Sequence, residues 1–217
     1  MITAVFDLDG TLADTLCDLA DATNYALRTL GYPEHPYEKY NYFVGNGVQK
    51  LCFRALPEDK KDDTDKMLEL FSEYYGEHFL DKTKLYPQIR ETLHKLADSG
   101  VKLAVATNKP YGCSGYPRKI TDALLPEISF VKVLGGNSKR PKKPDTAILD
   151  EIFAALPDEE NRAFMIGDSN VDIQTGKNAG IETIGCVWGF RGRQELEDAG
   201  ADHIANTADD IAKFILE

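Results

Sequence analysis

The stretch Val5-Phe6-Asp7-Leu8-Asp9-Gly10-Thr11 decides the fold of this chain. It completes an apolar run that begins at Ile2 and has no helical period, which predicts a buried β-strand. The strand ends in two carboxylates separated by one residue, and Gly10 then allows a sharp turn of the backbone. The alternative is an N-terminal strand followed by an ordinary acidic turn. In that case, however, a buried strand would end in two acids that have no function.

The spacing of the two acids suits a phosphoryl transfer. Asp7 closes the predicted strand, where α/β sheets place their ligands, and its carboxylate can attack a phosphorus atom to form an acyl-phosphate. Asp9 lies on the same side if the chain stays extended. From there it can protonate the leaving oxygen and later deprotonate the hydrolytic water. Thr11 can donate to an oxyanion or cap the next helix.

Composition restricts the class of protein and its partners. The chain has 217 residues, 42% of them hydrophobic and 28% charged, which indicates one α/β domain with a small insertion. The net charge of −11, from 25 basic and 36 acidic residues, disfavours binding to nucleic acid. We find no apolar run of about 18 residues and no signal-peptide pattern, so we expect a cytoplasmic protein without membrane contact.

The cysteines and histidines carry no motif. Cys17, Cys52, Cys113 and Cys186 are scattered without a Cys-x-x-Cys pair, so we expect neither a disulfide framework nor a zinc site. Cys113 lies among glycine and serine and is predicted to be exposed, whereas the other three are interpreted as small core residues. The four histidines lie in separate segments and are assigned no role.

Hydrophobic periodicity divides the chain into two parts. Helices are predicted over 14–31, 48–56 and 67–79, and no strand is predicted between Leu12 and Tyr86. After Pro87 helices alternate with strands at 101–106, 130–134, 163–166 and 183–187, with a weak strand near Ile204. This alternation predicts an α/β fold with a parallel sheet covered by helices on both faces. We therefore predict a core of 1–14 and 87–217 and an all-α cap of 15–86.

Polar residues follow the next two strands of the predicted sheet. Thr107 and Asn108 can hold phosphate oxygens, although a helix cap or turn explains these residue types equally well. Lys143 follows the third strand and can neutralise a phosphate together with its nucleophile, with a solvated basic turn as the alternative. Lys142 competes with Lys143, and we favour Lys143 because Pro144 fixes the following backbone and Asp145 resembles a helix start.

Two further acids leave the fourth strand, and they predict a metal site. Asp168 is the better ligand for Mg²⁺, and Asp172 can orient it or hold a metal-bound water. If Asp7, Asp9 and Asp168 converge, each pair about 4 Å apart repels by roughly 4 kcal/mol at an effective dielectric of 20. One lysine cannot offset the repulsion of three such pairs together with the negative charge of a phosphate, whereas a divalent cation can. A turn with two solvated acids is the alternative.

These segments occur in a fixed order, each after a predicted strand: Asp7-Leu8-Asp9-Gly10-Thr11, Thr107-Asn108, Lys143-Pro144 and Gly167-Asp168-Ser169-Asn170-Val171-Asp172. The order resembles the haloacid dehalogenase superfamily over the whole chain. The resemblance implies a Rossmann-like core, Mg²⁺, an aspartyl-phosphate on Asp7, and Asp9 as acid and base. It also implies that Asp7, Asp168 and the backbone carbonyl of Asp9 bind the metal.

Within that superfamily the chain is most similar to the phosphoglycolate phosphatase branch. The segments that carry this similarity are Val44-Gly45-Asn46-Gly47, Arg54-Ala55-Leu56, Thr107-Asn108-Lys109-Pro110 and Trp188-Gly189-Phe190-Arg191. By implication the loop of Gly45, Asn46 and Gly47 faces the substrate when the cap closes, with Arg54 as a further candidate. An ordinary turn and a surface ion pair are the alternatives. Thr146 and the segment Gly112-Cys113-Ser114-Gly115-Tyr116-Pro117 depart from the pattern of the branch.

The resemblance implies a Mg²⁺-dependent phosphatase for a small phosphorylated metabolite, with phosphoglycolate favoured. A sugar phosphomutase or a pyrophosphatase of the same branch is the alternative. A haloacid dehalogenase is disfavoured because it needs neither Asp9 nor Mg²⁺, and a non-enzymatic binding module is disfavoured because no motif is missing. The sequence leaves open whether the protein is a monomer or a homodimer.

Overall fold

The computed structural model describes residues 1–110, 115–157 and 162–217. The prediction that Cys113 is exposed lies outside these ranges, as does the first part of the Gly112–Pro117 segment. Cys52 and Cys186 are buried as predicted, whereas Cys17 is only partly buried. None of the described helices is long and apolar enough to cross a membrane.

The described strands form two sheets. Their bounds are β1 Ile2–Phe6, β2 Ala13–Asp14, β3 Lys84–Leu85, β4 Lys102–Pro110, β5 Phe130–Gly136, β6 Arg162–Gly167, β7 Glu182–Cys186 and β8 His203–Ala205. In the described part of the chain, six strands form one sheet of order β5-β4-β1-β6-β7-β8 in which neighbours pair in parallel. The predicted parallel sheet is confirmed, and β1 lies at its centre between β4 and β6.

Helices cover the sheet and form the insertion. Their bounds are α1 Leu16–Thr29, α2 Tyr37–Phe43, α3 Val48–Ala55, α4 Thr64–His78, α5 Ile89–Asp98, α6 Tyr116–Leu124, α7 Ala147–Phe153, α8 Asn170–Asn178, α9 Arg193–Asp198 and α10 Ala208–Leu216. A 3₁₀ helix, Glu58–Asp63, precedes α4. The sequence did not predict α2 or α9, which are both short.

Both faces of the sheet are buried, because alternate residues of β1 point to opposite sides. Phe6 packs into a cluster with Leu93 of α5 and Ile211 of α10, whereas Val5 packs with Ile148 of α7 and Met165 of β6. The predicted cover of helices on both faces is confirmed. A strand that is buried on both faces explains why the sequence of β1 shows no alternation of polar and apolar residues.

The helices between residues 16 and 79 share a hydrophobic core of their own. Its fully buried members come from α1, α2, α3, α4 and the connections after α2 and α3: Leu19, Ala20, Ala22, Ala26, Leu27, Tyr40, Val44, Leu51, Cys52, Ala55, Leu56, Met67, Phe71 and Tyr75. A separate core is what the predicted cap requires, and the helices between residues 16 and 79 are called the cap below. The proposed limits of the cap, residues 15 and 86, stay a prediction.

A two-stranded antiparallel ribbon lies at the base of the cap. Ala13 pairs with Leu85 and Asp14 with Lys84, so the prediction that no strand lies between Leu12 and Tyr86 is wrong. Strands of two residues are too short to show a hydrophobic period, and they form here because the two connections of the cap run side by side.

Asp18 of α1 fastens this base. Its carboxylate is almost fully buried and accepts hydrogen bonds from the amides of Lys82 and Thr83 and from the Thr83 hydroxyl, at 2.7 to 3.1 Å. The buried charge is therefore well satisfied by donors, and it ties the first helix of the cap to the segment by which the chain leaves it.

Candidate active site

Asp7 lies at the carboxyl end of the central strand. Its amide donates to the carbonyl of Ile166 at 2.8 Å, which continues the pairing of β1 with β6. The ammonium of Lys143 lies 3.0 Å from Asp7 Oδ1, and both side chains are buried. The sequence-predicted pair of Asp7 and Lys143 is therefore brought together, although the two residues are far apart in the chain.

Asp172 is the second acid beside Lys143. Its Oδ1 lies 2.5 Å from Lys143 Nζ, while its Oδ2 accepts from the Ser169 hydroxyl at 2.7 Å and the Ser169 amide at 3.2 Å. Ser169 and Asp172 form a capping box at the start of α8. Because both oxygens already have donors, the geometry suits Asp172 to positioning rather than to direct metal binding.

Asp168 directly follows β6 and has glycines close to its side chain. Its Oδ2 accepts from the amide of Phe190 at 2.7 Å, and Thr11 Oγ1 lies 3.5 Å from its Oδ1. A Cβ atom would lie 2.4 Å from the Asp168 side chain if added at Gly10, and 2.2 Å if added at Gly189. Gly10 also has a φ of 86°, which favours glycine. Thr11 does not cap α1, whose first turn follows Thr15.

The carboxylates of Asp7, Asp168 and Asp172 form one buried cluster. Each residue offers an oxygen, and these atoms lie within 4.8 Å of one another. Burial raises the pKa of Asp7 to about 7; Lys143 opposes this, and the charges of Asp172 and Asp9 add to it. Burial also raises the pKa of Asp168, with Asp172 and Asp7 as further causes.

This cluster fits a divalent cation. Asp7 Oδ1 is buried and forms no hydrogen bond among the described residues, although it faces the Lys143 ammonium. Burial alone would lower the pKa of Lys143, but Asp172 and Asp7 outweigh it and raise the pKa to about 12. One charged lysine against three acids leaves an excess of negative charge, and hard oxygen ligands are what Mg²⁺ prefers.

Asn108 fixes the position of Lys143. Its Oδ1 accepts from the Lys143 amide at 2.9 Å, and its Nδ2 donates to the Lys143 carbonyl at 3.1 Å. The same Nδ2 lies 3.3 Å from the carbonyl of Gly45 in the cap. Lys142, the competing candidate, is exposed, so the structure favours Lys143 as the site residue.

Thr107 and Asn108 do not follow the end of a strand as predicted, because β4 continues to Pro110. A register shift after Ala106 separates its last pairing with β5, Pro110 with Gly136, from the regular part of the strand. Irregular pairing of this kind leaves no hydrophobic period in the sequence, and it lets the strand carry polar side chains to the cavity.

Lys109 is the residue that the sequence reasoning missed. Its ammonium is buried, lies 2.9 Å from Asp9 Oδ1, and stands 5.0 Å from the ring centre of Tyr75 in the cap. Burial alone would lower the pKa of Lys109, but Asp9 and Tyr75 together outweigh it and raise the pKa. The Thr15 hydroxyl donates to the same oxygen of Asp9 at 2.6 Å. Lys109 was quoted only within a family motif, and a lysine there is normally taken as exposed.

The predicted cap loop contacts the site in part. Gly45 and Gly47 line the cavity above Asp7 and Asp9. The guanidinium of Arg54 instead holds the loop itself. It donates to the carbonyls of Tyr42 and Phe43 and to Asn46 Oδ1 at 2.7 to 3.2 Å. Neither Asn46 nor Arg54 is among the residues that line the described cavity.

A core residue also binds this loop. The guanidinium of Arg191 donates to the carbonyl of Val44 at 2.9 Å, and Arg191 lies in the segment between β7 and α9. Trp188, three residues earlier, donates from its indole nitrogen to the carbonyl of Thr11 at 3.1 Å. One segment of the core therefore contacts both the cap loop and the turn after β1.

The cavity between cap and sheet has a volume of about 110 Å³. The sheet contributes Asp7, Asp9, Thr107, Asn108 and Lys109 to its wall. The cap contributes mostly apolar side chains, namely Leu19, Val44, Val48, Leu51, Phe71 and Tyr75, together with Ser72. The cavity is therefore lined by acidic and basic side chains on the sheet side and mainly by apolar side chains on the cap side.

The family model of the haloacid dehalogenase-like hydrolases matches residues 4–186, which include Asp7, Lys143 and Asp168. The chain is a haloacid dehalogenase-like hydrolase. A phosphoglycolate phosphatase from Vibrio parahaemolyticus is 33% identical to this hydrolase over 217 residues, covering 97% of this chain and 94% of the relative.

Solved structures agree with this membership. A Lactobacillus delbrueckii subsp. bulgaricus protein assigned as a phosphoglycolate phosphatase has a TM-score of 0.90 and 32% identity, covering 98% of this chain and 97% of that chain. CbbY from Rhodobacter sphaeroides, crystallised in complex with phosphate, has a TM-score of 0.71 and 25% identity, covering 97% of this chain and 96% of that chain. The hydrolase therefore belongs to the phosphoglycolate phosphatase-like branch of the superfamily.

Proposed function

We propose that this enzyme, a phosphomonoester hydrolase, transfers the phosphoryl group of a small substrate to Asp7 and then to water. The observation that carries the proposal is the placement of Asp7. Its carboxylate ends the central strand, lines the cavity and lies 3.0 Å from the ammonium of Lys143, with Asp168 in the same cluster. A nucleophile in this position is held and partly neutralised before the substrate arrives.

In the first step Asp7 attacks the phosphorus atom and the bond to the leaving oxygen breaks. Asp9 is the proton donor to that oxygen, because it also lines the cavity and its Oδ1 is fixed by Lys109 and Thr15. In the second step water attacks the phosphorus of the aspartyl-phosphate, Asp9 takes a proton from it, and inorganic phosphate and Asp7 are released. Lys143 and the Thr107 hydroxyl hold the phosphate oxygens. Asn108, proposed from the sequence for the same role, instead positions Lys143, because its Nδ2 already donates to the carbonyls of Lys143 and Gly45.

Asp7 and Asp168 would hold a divalent metal, with the backbone carbonyl of Asp9 as a third ligand and Asp172 as a positioning residue. Mg²⁺ is the ion that we propose, because the available ligands are oxygens. When bound, such an ion supplies charge stabilisation for the phosphate oxygens and orients them. The ammonium of Lys143 contacts both Asp7 and Asp172 and keeps them in place.

Phosphoglycolate is the substrate that we favour, and we expect it to be hydrolysed in the cytoplasm. The relative from Vibrio parahaemolyticus carries this activity in its name, and identity extends over nearly the whole of both chains. A cavity of about 110 Å³ suits a substrate with a small organic part.

The test is a panel of phosphate esters assayed for inorganic phosphate with and without Mg²⁺. We expect phosphate release only with the metal, and loss of at least about a thousandfold in kcat for Asp7→Asn. Acid quenching during turnover should trap a phosphoryl group on the peptide that contains Asp7, detected by mass spectrometry. Substantial turnover by Asp7→Asn would disprove the nucleophile, and an isomerised sugar phosphate without phosphate release would indicate a mutase instead.

A further inference from the structure

The wall of the cavity contains a cation and a hydroxyl to which the phosphate chemistry assigns no contact with the substrate. Lys109 is the cation among the described lining residues, and its ammonium lies 2.9 Å from Asp9 Oδ1. Tyr75 of α4 covers it from the cap side, with the ammonium 5.0 Å from the ring centre. Core and cap therefore each contribute one polar group to the same part of the cavity.

The Tyr75 hydroxyl points to a ligand. Tyr75 is only 2% exposed, and its hydroxyl lies close to the Lys109 ammonium, which can donate to it but cannot accept. Among the described residues, the O–H of Tyr75 therefore has no acceptor. A buried hydroxyl without a partner is costly, and native proteins rarely leave one unsatisfied. Since this residue lines the cavity, an acceptor on a bound molecule would satisfy it.

Lys109 has donors to spare for the same acceptor. Its ammonium carries three N–H groups, and among the described residues it has one carboxylate partner, Asp9 Oδ1 at 2.9 Å. A carboxylate has two oxygens that accept several hydrogen bonds, so it can receive both the ammonium and the Tyr75 hydroxyl. The lysine would also separate this carboxylate from the negative charge of Asp9.

We propose that Lys109 and Tyr75 form a subsite for a carboxylate of the leaving group, so that the enzyme selects phosphate esters of small 2-hydroxycarboxylic acids. The proposal rests on the proposed function, because it assumes that phosphorus lies at Asp7 and the ester oxygen at Asp9. In such an ester the carboxyl carbon is two bonds from that oxygen, which places it next to the group that contacts Asp9.

The apolar side chains on the cap side of the cavity argue against sugar phosphates as substrates. Leu19, Val48, Leu51 and Phe71 present apolar surface to the cavity, and each sugar hydroxyl placed against it would lose its partners in water. A short acid has few polar groups apart from the carboxylate, and the subsite satisfies that one.

The experiment compares two esters that differ in the carboxylate, 2-phosphoglycolate and ethyl phosphate, in the full-length enzyme with Mg²⁺. We expect the wild type to prefer phosphoglycolate by about a hundredfold or more in kcat/KM. Tyr75→Phe should reduce that preference about five- to tenfold, mainly through KM for phosphoglycolate. Lys109→Met should reduce it about thirtyfold and should also lower kcat on both esters, because Asp9 loses its ammonium partner. Tyr75→Phe is the cleaner variant, because it removes only the hydroxyl and leaves Asp9 and Lys109 paired.

Matched controls come from the same elements. Tyr74→Phe alters the neighbouring residue of α4, which stacks on Tyr25 and His78 outside the cavity, and Lys102→Met removes an exposed lysine at the other end of β4. Both should leave the preference unchanged.

Three outcomes would overturn the subsite. A wild-type preference near one would show that the carboxylate is not recognised. If Tyr75→Phe and Lys109→Met lowered kcat/KM equally for both esters, the two residues would have only a structural role. The phosphatase assignment would be unaffected by that result. Release of phosphate from neither ester, and from no other ester of the panel, would instead refute the proposed function, and with it the subsite.

Discussion

Replacing Asp7 with Asn should stabilise the metal-free protein at mildly alkaline pH, even though it removes the proposed nucleophile. The reason is the burial of the Asp7 carboxylate, which raises its pKa from 3.8 to about 7 against the opposing effect of Lys143, with the charges of Asp172 and Asp9 adding to the rise. Above the folded-state pKa the charged form must be held in an unfavourable environment, while in the unfolded chain it is solvated. An amide carries no charge and avoids that cost.

The size of the effect follows from the pKa difference. Each pKa unit corresponds to about 1.4 kcal/mol, so the shift of Asp7 from 3.8 to about 7 represents a destabilisation of about 4 kcal/mol at a pH above both values. A raised pKa in an acid means that the folded state binds the proton more tightly. Stability therefore increases as the pH falls through about 7 and stops increasing near 3.8.

The assay is urea unfolding in EDTA at about pH 8 and about pH 5.5. We expect the free energy of unfolding of the wild type to be about 2 kcal/mol higher at the lower pH, because only part of the titration lies between the two conditions. Asp7→Asn should be more stable than the wild type at about pH 8 by about 2 to 4 kcal/mol and should show a smaller pH dependence. Asp98→Asn, a change in an exposed residue at the end of α5, is the control.

A wild type that loses stability on acidification over this range would refute the reasoning, as would an Asp7→Asn variant less stable than the wild type at about pH 8. Either result would mean that the pairing with Lys143 outweighs the cost of burial. The same measurement with Mg²⁺ should reverse the order of the two proteins, because only the wild type keeps the full set of proposed ligands.

Two further substitutions test the support of the site. Lys143→Met should destabilise the protein by about 3 to 5 kcal/mol in urea unfolding at about pH 8, because it leaves buried acids unpaired, whereas the exposed Lys142→Met should change stability by less than about 0.5 kcal/mol. Gly189→Ala should raise the Mg²⁺ concentration for half-maximal activity at least about tenfold, because its methyl group would collide with Asp168, whereas Gly180→Ala meets no atom within 4 Å and should affect stability alone.

The sequence predicted those parts of the structure that depend on local pattern. The apolar runs located the sheet strands after residue 100, and the acids at the ends of β1 and β6 could be paired because parallel strands present their carboxyl ends at one edge. The preference for Lys143 over Lys142 rested on the following Pro144, and the structure shows Lys143 buried between Asp7 and Asp172.

The remaining features of the structure depend on contacts between distant parts of the chain, which a local sequence pattern does not show. The ribbon of β2 and β3 exists because two connections meet, and the extension of β4 to Pro110 depends on its pairing with β5. Lys109 is buried because Asp9 and the ring of Tyr75, which belong to two other segments of the chain, lie against it. Arg54 was considered as a substrate contact, but a sequence cannot show that its donors are already occupied by the loop carbonyls.

The hydrogen bonds of Asp18 have a consequence for how such an enzyme can change over evolution. Both ends of the helical insertion leave the sheet side by side, and Asp18, Lys82 and Thr83 close that exit with hydrogen bonds of their own. A different insertion that preserved this closure could replace the present one without disturbing Asp7, Lys143 or Asp168. The machinery for breaking the phosphate bond and the surface that chooses among molecules can then be inherited as separate modules.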